Sequence, residues 1–238
     1  MSIFVEMTNA DIKYIRSLRE KKFRDEYGVF IIEGEKMVRE ALDSSFEVLD
    51  VFRKDEIGEE QMSRISALSS PSPVLAIVRK KQWDDDDDFS CGLYLGLDSI
   101  RDPGNMGTII RLSDWFGVKT VFASEDSVEL YNPKVIQATM GAIFRKKVIY
   151  CDIPSLCKRF AAAGKKVYGT FLDGENIYRK ALEKDALVIM GNESNGISQE
   201  TEAKVSERLL IPSFAEGPTA ESLNVAVATA VTLSEFRR

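Results

Sequence analysis

Histidine is absent from the chain. The side chain that titrates near neutral pH and most often binds metal is therefore missing, which excludes zinc-hydrolase chemistry and a Ser-His-Asp relay, and no metal is expected. Cysteine is scarce. Cys91, Cys151 and Cys157 form neither a CxxC pair nor a dense framework, which predicts buried thiols in a reducing compartment. Neither GxGxxG nor GxxxxGKS/T occurs, which argues against a standard dinucleotide site or P-loop. No stretch approaches the roughly 18 apolar residues of a membrane span, and the start lacks a basic-then-apolar leader. A cytoplasmic protein with no membrane partner is the expectation.

Basic charge is also in deficit overall, with a net charge of −6, a poor first sign for a nucleic-acid partner. The distribution says more. Over residues 13–24, Lys13, Arg16, Arg19, Lys21, Lys22 and Arg24 stand against Glu20 alone, a local charge of +5 in a predicted helix and the turn after it. Much of the acidic excess lies in the unbroken run Asp84 to Asp88. Five adjacent carboxylates repel one another and resist burial, so residues 83–92 read as a solvated acidic linker and the best domain boundary.

Before that boundary, Thr8 or Asn9 can cap a helix running to about Glu20, with Ile12, Ile15 and Leu18 spaced to face a core. Strands are predicted at Phe30–Ile32, Phe46–Phe52 and Val74–Val78, and helices at Glu35–Ser44 and Glu56–Leu68. Residues 1–82 thus form a small α/β module. From Leu93 onward short apolar strands alternate with helices, the pattern of a mostly parallel sheet covered on both faces. Residues 93–238 are expected to form that second domain.

In open parallel sheets the ligand crevice lies at the carboxyl ends of the strands, which points to the loops after Leu97, Phe171, Met190 and Ile211. Three stretches there are unusual. In Leu97-Asp-Ser-Ile-Arg-Asp-Pro-Gly-Asn-Met-Gly-Thr-Ile-Ile-Arg111, Asn105 stands about where a helix is capped, and Arg111 follows nearly two turns later. Gly191-Asn-Glu-Ser-Asn-Gly196 leaves Glu193 at the end of a central strand between flexible glycines. Glu221-Ser-Leu-Asn224 reads as the capped start of the last helix, with Glu221 or Ser222 on the free amides. Each alone is equally readable as a helix cap, a surface arginine or a plain turn.

Together, in order and spacing, the three segments resemble the signature motifs of the SpoU (TrmH-type) RNA ribose 2'-O-methyltransferases of the SPOUT superfamily, over residues 93–238. Phe30-Ile-Ile-Glu-Gly-Glu-Lys36 is similar to the ribosomal-protein-like RNA-binding extension that many of these enzymes carry. The resemblance implies a deep C-terminal trefoil knot, S-adenosylmethionine as cofactor, an RNA substrate, ribosomal or transfer, and a homodimer. It places catalytic roles on Asn105, Arg111, Glu193, Ser222 and Asn224. Cofactor contacts fall on Thr170, Leu172, Gly191, Asn192, Ile211 and Leu223, and RNA contacts on Arg16, Arg19, Lys22 and Arg24.

One departure is visible. Between Pro212 and Ser222 the chain reads Ser-Phe-Ala-Glu-Gly-Pro-Thr-Ala-Glu, longer than the usual loop and without its methionine. The donor methyl sits on a sulfonium, so the enzyme must mainly align a ribose hydroxyl with it and help it lose a proton. The family assigns that proton to the arginine at position 111. Arginine holds its own proton above about pH 12, so binding the neighbouring phosphate is the alternative role. A knotted RNA-binding or ribosome-assembly protein without catalysis is the competing reading, but it predicts damage to the polar constellation, and that constellation is intact.

Overall fold

Thr8 fixes the start of the first helix by a reciprocal cap, its hydroxyl accepting from the Asp11 amide while its own amide donates to the Asp11 carboxylate. The computed structural model describes residues 7–218 and 220–238. They fold as two units, one of residues 7–82 with 129–145, the other of 83–128 with 146–238. The sequence alone suggests an uninterrupted second domain from residue 93. Instead, the stretch 129–145 is built into the first unit.

In the first unit, α1 (Asn9–Ser17) ends earlier than expected, and a separate α2 (Lys21–Tyr27) follows. Gly28, with φ of 66°, closes α2 in the left-handed conformation that glycine adopts without strain. Then come β1 (Val29–Glu33), α3 (Glu35–Leu42), β2 (Val48–Arg53), α4 (Lys54–Ile57), α5 (Glu59–Ile65) and β3 (Val74–Arg79). Gly58 separates α4 from α5, which the sequence reading joins into one helix. The strands form an antiparallel sheet in the order β1-β3-β2.

Alternation along β1 sorts its side chains between two cores. Val29 and Ile31 pack with Ile12 and Ile15 of α1, with Leu18 just after it, and with Met62 and Ile65 of α5. Phe30 points the other way, its ring 4.6 Å from Tyr131 and 6.3 Å from Phe46. The stretch 129–145 lines this second face. It contains α7 (Pro133–Thr139) and a 3-10 turn at Ala142–Phe144, whose Phe144 meets Phe46 edge-on.

The second unit comprises β4 (Leu93–Leu97), α6 (Pro103–Trp115), β5 (Thr120–Ala123), β6 (Lys147–Tyr150), α8 (Ile153–Ala162), β7 (Lys166–Asn176), β8 (Ala186–Met190), α9 (Gln199–Glu202), β9 (Glu207–Leu210) and α10 (Val225–Phe236). All ladders are parallel, and the order is β6-β5-β4-β8-β7-β9. Every residue of β4, β5 and β8 is buried, as parallel strands covered on both faces require. Thr170 and Glu175 of β7 share one partner, Leu209 of β9, so residues 171–174 leave the ladder and return to it. On the return Gly174 lies flat against the Leu209 backbone, where a Cβ would come 2.4 Å from the carbonyl carbon.

The acidic run is held more closely than a solvated linker. Asp85 pairs with Arg159 and Asp86 with Lys147, while Asp87 accepts from Thr120 and lies 3.6 Å from both Lys119 and Lys147. Phe89 then stacks on Phe160 at 4.1 Å inside the core. The run is thus a strap across the second unit, its charges divided among cations from several elements.

Candidate functional site

Because the second sheet is wholly parallel, the segments after β4, β7, β8 and β9 leave from one edge. After β4, Asp102 caps α6, accepting from the Asn105 amide at 2.8 Å, with Pro103 in the first turn. Asn105 is therefore not the cap that its position suggested, and its side chain is released for other partners. Asn224 is the cap of α10, in place of Glu221 or Ser222, its Oδ1 accepting from the amides of Ala226 and Val227.

These caps force the direction of a relay. With Asn224 Oδ1 committed to the helix, its Nδ2 donates to Asn105 Oδ1 at 2.9 Å. Asn105 then turns its own Nδ2 to Glu193 Oε1 at 2.6 Å. An ionised carboxylate only accepts, so no flipped amide would satisfy the chain Asn224 to Asn105 to Glu193. Three segments far apart in sequence converge on one polar line.

The turn carrying Glu193 is bolted to the end of β4. Asn192 donates to the Ser99 carbonyl at 2.7 Å and accepts from the amides of Ser194 and Asn195. Buried Asp98 accepts from both the amide and the hydroxyl of Ser198, at 2.9 and 2.7 Å. At Gly191 a Cβ would stand 2.3 Å from the Gly196 carbonyl carbon, so the turn closes only over glycine. Sequence reasoning overlooked Asp98. A carboxylate directly after a buried strand was the available signal.

The other residues implicated by sequence take no part in the hydrogen bonds of the relay. Arg111 is exposed on α6, and its side chain makes no hydrogen bond or ion pair among the described residues. Ser222 is exposed as well. Thr170 is half-buried, 3.9 Å from the Met190 sulfur, Gly191 is buried, Ile211 is half-buried, and Leu172 and Leu223 are exposed. These seats are uncharged and mainly apolar, which fits an adenosine better than a phosphate.

In the first unit, Arg16 and Lys22 face solvent. Arg24 does not: it is 2% exposed, paired with Glu129, and donates to the carbonyls of Leu18 and Arg19 at 3.0 and 2.7 Å. Arg19 donates to the carbonyls of Ile65 and Ser66 at the end of α5. Both serve the fold, and an RNA contact through Arg24 is withdrawn for lack of access. Among the cysteines, Cys91 is exposed, contrary to expectation. Burial pushes the Cys151 and Cys157 thiols up to about 12, which keeps them protonated and inert.

A histidine-free line of amides ending on one carboxylate, beside uncharged loops at a sheet edge, has the chemistry to orient and polarise a hydroxyl rather than to bind a metal or relay a proton through imidazole. Comparison with known proteins supplies the family. The model of the SpoU rRNA Methylase family matches residues 92–234, and that of the MRM3-like substrate binding domain matches residues 9–78. The chain belongs to the SpoU rRNA methylase family. It is 29% identical to a 23S rRNA (guanosine(2553)-2'-O)-methyltransferase, RlmP, of Bacillus subtilis, over 96% of each chain. Among solved structures, a protein assigned to the TrmH family of RNA methyltransferases from Porphyromonas gingivalis superposes with a TM-score of 0.87 at 36% identity, covering 98% of this chain and 99% of the other. An AdoMet-bound rRNA methyltransferase from Sinorhizobium meliloti superposes with a TM-score of 0.89 at 29% identity, covering 98% and 97%.

Proposed function

We propose that this chain is an S-adenosylmethionine-dependent methyltransferase that modifies a ribose 2'-hydroxyl in structured RNA, with ribosomal RNA favoured by the names of its relatives. The observation that carries this reading is the relay from Asn224 through Asn105 to Glu193. When bound, the cofactor supplies an already activated methyl group. Thr170, Leu172, Gly191, Asn192, Ile211 and Leu223 would hold it.

The chain's own task is positioning, and well-oriented reactants can recover roughly 7 to 11 kcal/mol of barrier. Glu193, its orientation fixed by Asn105, offers an acceptor to a ribose hydroxyl, and Ser222 a short polar edge. Arg111 holds the phosphate beside the target ribose and stabilises developing negative charge. Its exposure favours this over removal of the proton, since a neutral guanidine needs strong desolvation. Replacing Arg111 with Lys and following the single-turnover rate against pH tests the role: a slower rate on an unshifted profile is expected, and a shifted profile would restore the base.

The remaining expectations belong to the same reading. Residues 7–82 act as the RNA-binding module, with Arg16 and Lys22 on phosphate. A C-terminal knot is supported by the path of the chain. β9 is the outer strand of the sheet, yet Asn224, which follows it in the chain, meets Asn105 of the helix after β4, with β7 and β8 between those two strands, a separation of about 14 Å. A homodimer is supported by Trp115, 84% exposed at the end of α6, and by exposed Val227 on α10, which packs against α6. Trp115→Glu is expected to shift light-scattering mass from dimer to monomer.

The reaction is tested by transfer of labelled methyl from S-adenosylmethionine to total RNA of the host, followed by digestion to nucleosides. A 2'-O-methylated nucleoside is expected. A methyl on the base would refute the ribose assignment.

A further inference from the structure

The long loop between Ile211 and Ser222 carries an aromatic side chain that the relay does not use. Phe214 is 81% exposed and lies 6.2 Å from the ring of Tyr178, itself 39% exposed, with the ring planes inclined at 31°. A single exposed ring is unremarkable, because apolar atoms make up much of any protein surface. Two that meet outside the core, tilted toward each other, offer a shared aromatic face.

Tyr178 is firmly held. It lies in a 3-10 turn (Ile177–Arg179) whose first residue is buried, and Asn176 Oδ1 accepts from its amide at 2.9 Å. Phe214 rides on the loop itself, where Ser213 Oγ accepts from the Ala215 amide at 3.2 Å. The two supporting segments meet in the β7–β9 ladder, Asn176 opposite Leu210. They are the continuations of the strands that supply Thr170 and Ile211, so the aromatic face sits on the rim of the candidate site.

We infer that Tyr178 and Phe214 form a stacking platform for one unpaired base of the RNA substrate. This rests on the reading of the chain as an RNA-modifying enzyme. Every base has a π face, and stacking on an aromatic side chain requires no particular sequence. The exposed guanidinium of Arg179, next to Tyr178, can reach the phosphate attached to such a base. Neither ring is among the residues assigned to the cofactor, and both are accessible to a ligand arriving from solvent.

The test uses the full chain and two probes, a mixed-sequence single-stranded oligoribonucleotide and the same strand annealed to its complement, with S-adenosylmethionine binding measured separately by calorimetry. Phe214→Ala is expected to weaken single-strand binding by about 5- to 100-fold, to leave duplex and cofactor binding within twofold, and to keep the melting temperature. Phe214→Trp restores single-strand binding, and Tyr178→Ala repeats the loss. Unchanged single-strand affinity in Phe214→Ala, or a loss confined to the cofactor, overturns the platform. Failure of the wild-type protein to methylate RNA would instead overturn the enzyme reading, which the labelled-methyl assay detects independently.

Discussion

Replacing Gly174 with alanine should damage the second unit more than its size suggests. The added Cβ meets three backbone atoms of Leu209, the carbonyl carbon at 2.4 Å, the oxygen at 2.6 Å and the nitrogen at 2.8 Å. No flexible side-chain end stands there to move aside, so β9 or the 171–174 excursion must shift as backbone. Overpacking of this kind costs about 3 kcal/mol, the upper part of its usual range. The unit has roughly 140 residues, and an unfolding entropy of about 2.1 cal/mol/K per residue converts that loss to a fall in Tm of about 10 °C. Differential scanning calorimetry measures it directly. Gly217→Ala is the control: nothing lies within 4 Å of its added Cβ, and Tm should hold or rise by no more than about 3 °C. A Gly174→Ala protein melting within about 2 °C of wild type would refute the close approach of these two segments.

Three further outcomes follow from the geometry. Asn105→Asp sets a carboxylate against Glu193 and should cut kcat/KM by about 10- to 100-fold; adding Glu193→Gln re-creates a donor and should recover part of the loss, and no recovery would count against the relay. Arg24→Met leaves Glu129 without its principal partner in a nearly closed setting and should cost about 3 kcal/mol in urea unfolding, while Arg24→Met with Glu129→Leu should be milder. Lys21, with help from Lys80, lowers the Asp25 carboxyl from its ordinary 3.8 to about 2. A depressed carboxyl stabilises the fold above the unfolded pKa and loses that contribution as pH falls toward the folded one. Wild type should therefore weaken between about pH 4 and pH 2 more steeply than Asp25→Asn, as read from urea midpoints.

The parallel sheet was legible because each strand is a short apolar run bounded by turn residues, and Leu93–Leu97 and Ala186–Met190 announce themselves in that way. The convergence of Asn105, Glu193 and Asn224 was legible only through the combination of three motifs, since each segment alone reads as a cap or a turn. Other features depend on partners distant in sequence. Arg24 looks like one more cation on a basic helix until Glu129, more than 100 residues later, closes over it. The strap of aspartates looked solvated because the cations that divide its charge, Lys119, Lys147 and Arg159, are scattered along the chain. Cap assignments slipped for a local reason: Asp102 and Asn105, or Ser222 and Asn224, are both competent caps two or three residues apart, and only the backbone path selects between them.

Asn224 holds the amides of a helix with one end of its amide group and steadies a carboxylate through Asn105 with the other. Secondary structure and chemistry therefore draw on the same few atoms. Fraying of the first turn of α10 loosens Glu193 even though no residue there touches it, and any ligand that tightens Glu193 makes that turn harder to unwind. Protection of the Ala226 and Val227 amides from hydrogen exchange is thus an occupancy gauge built into the backbone.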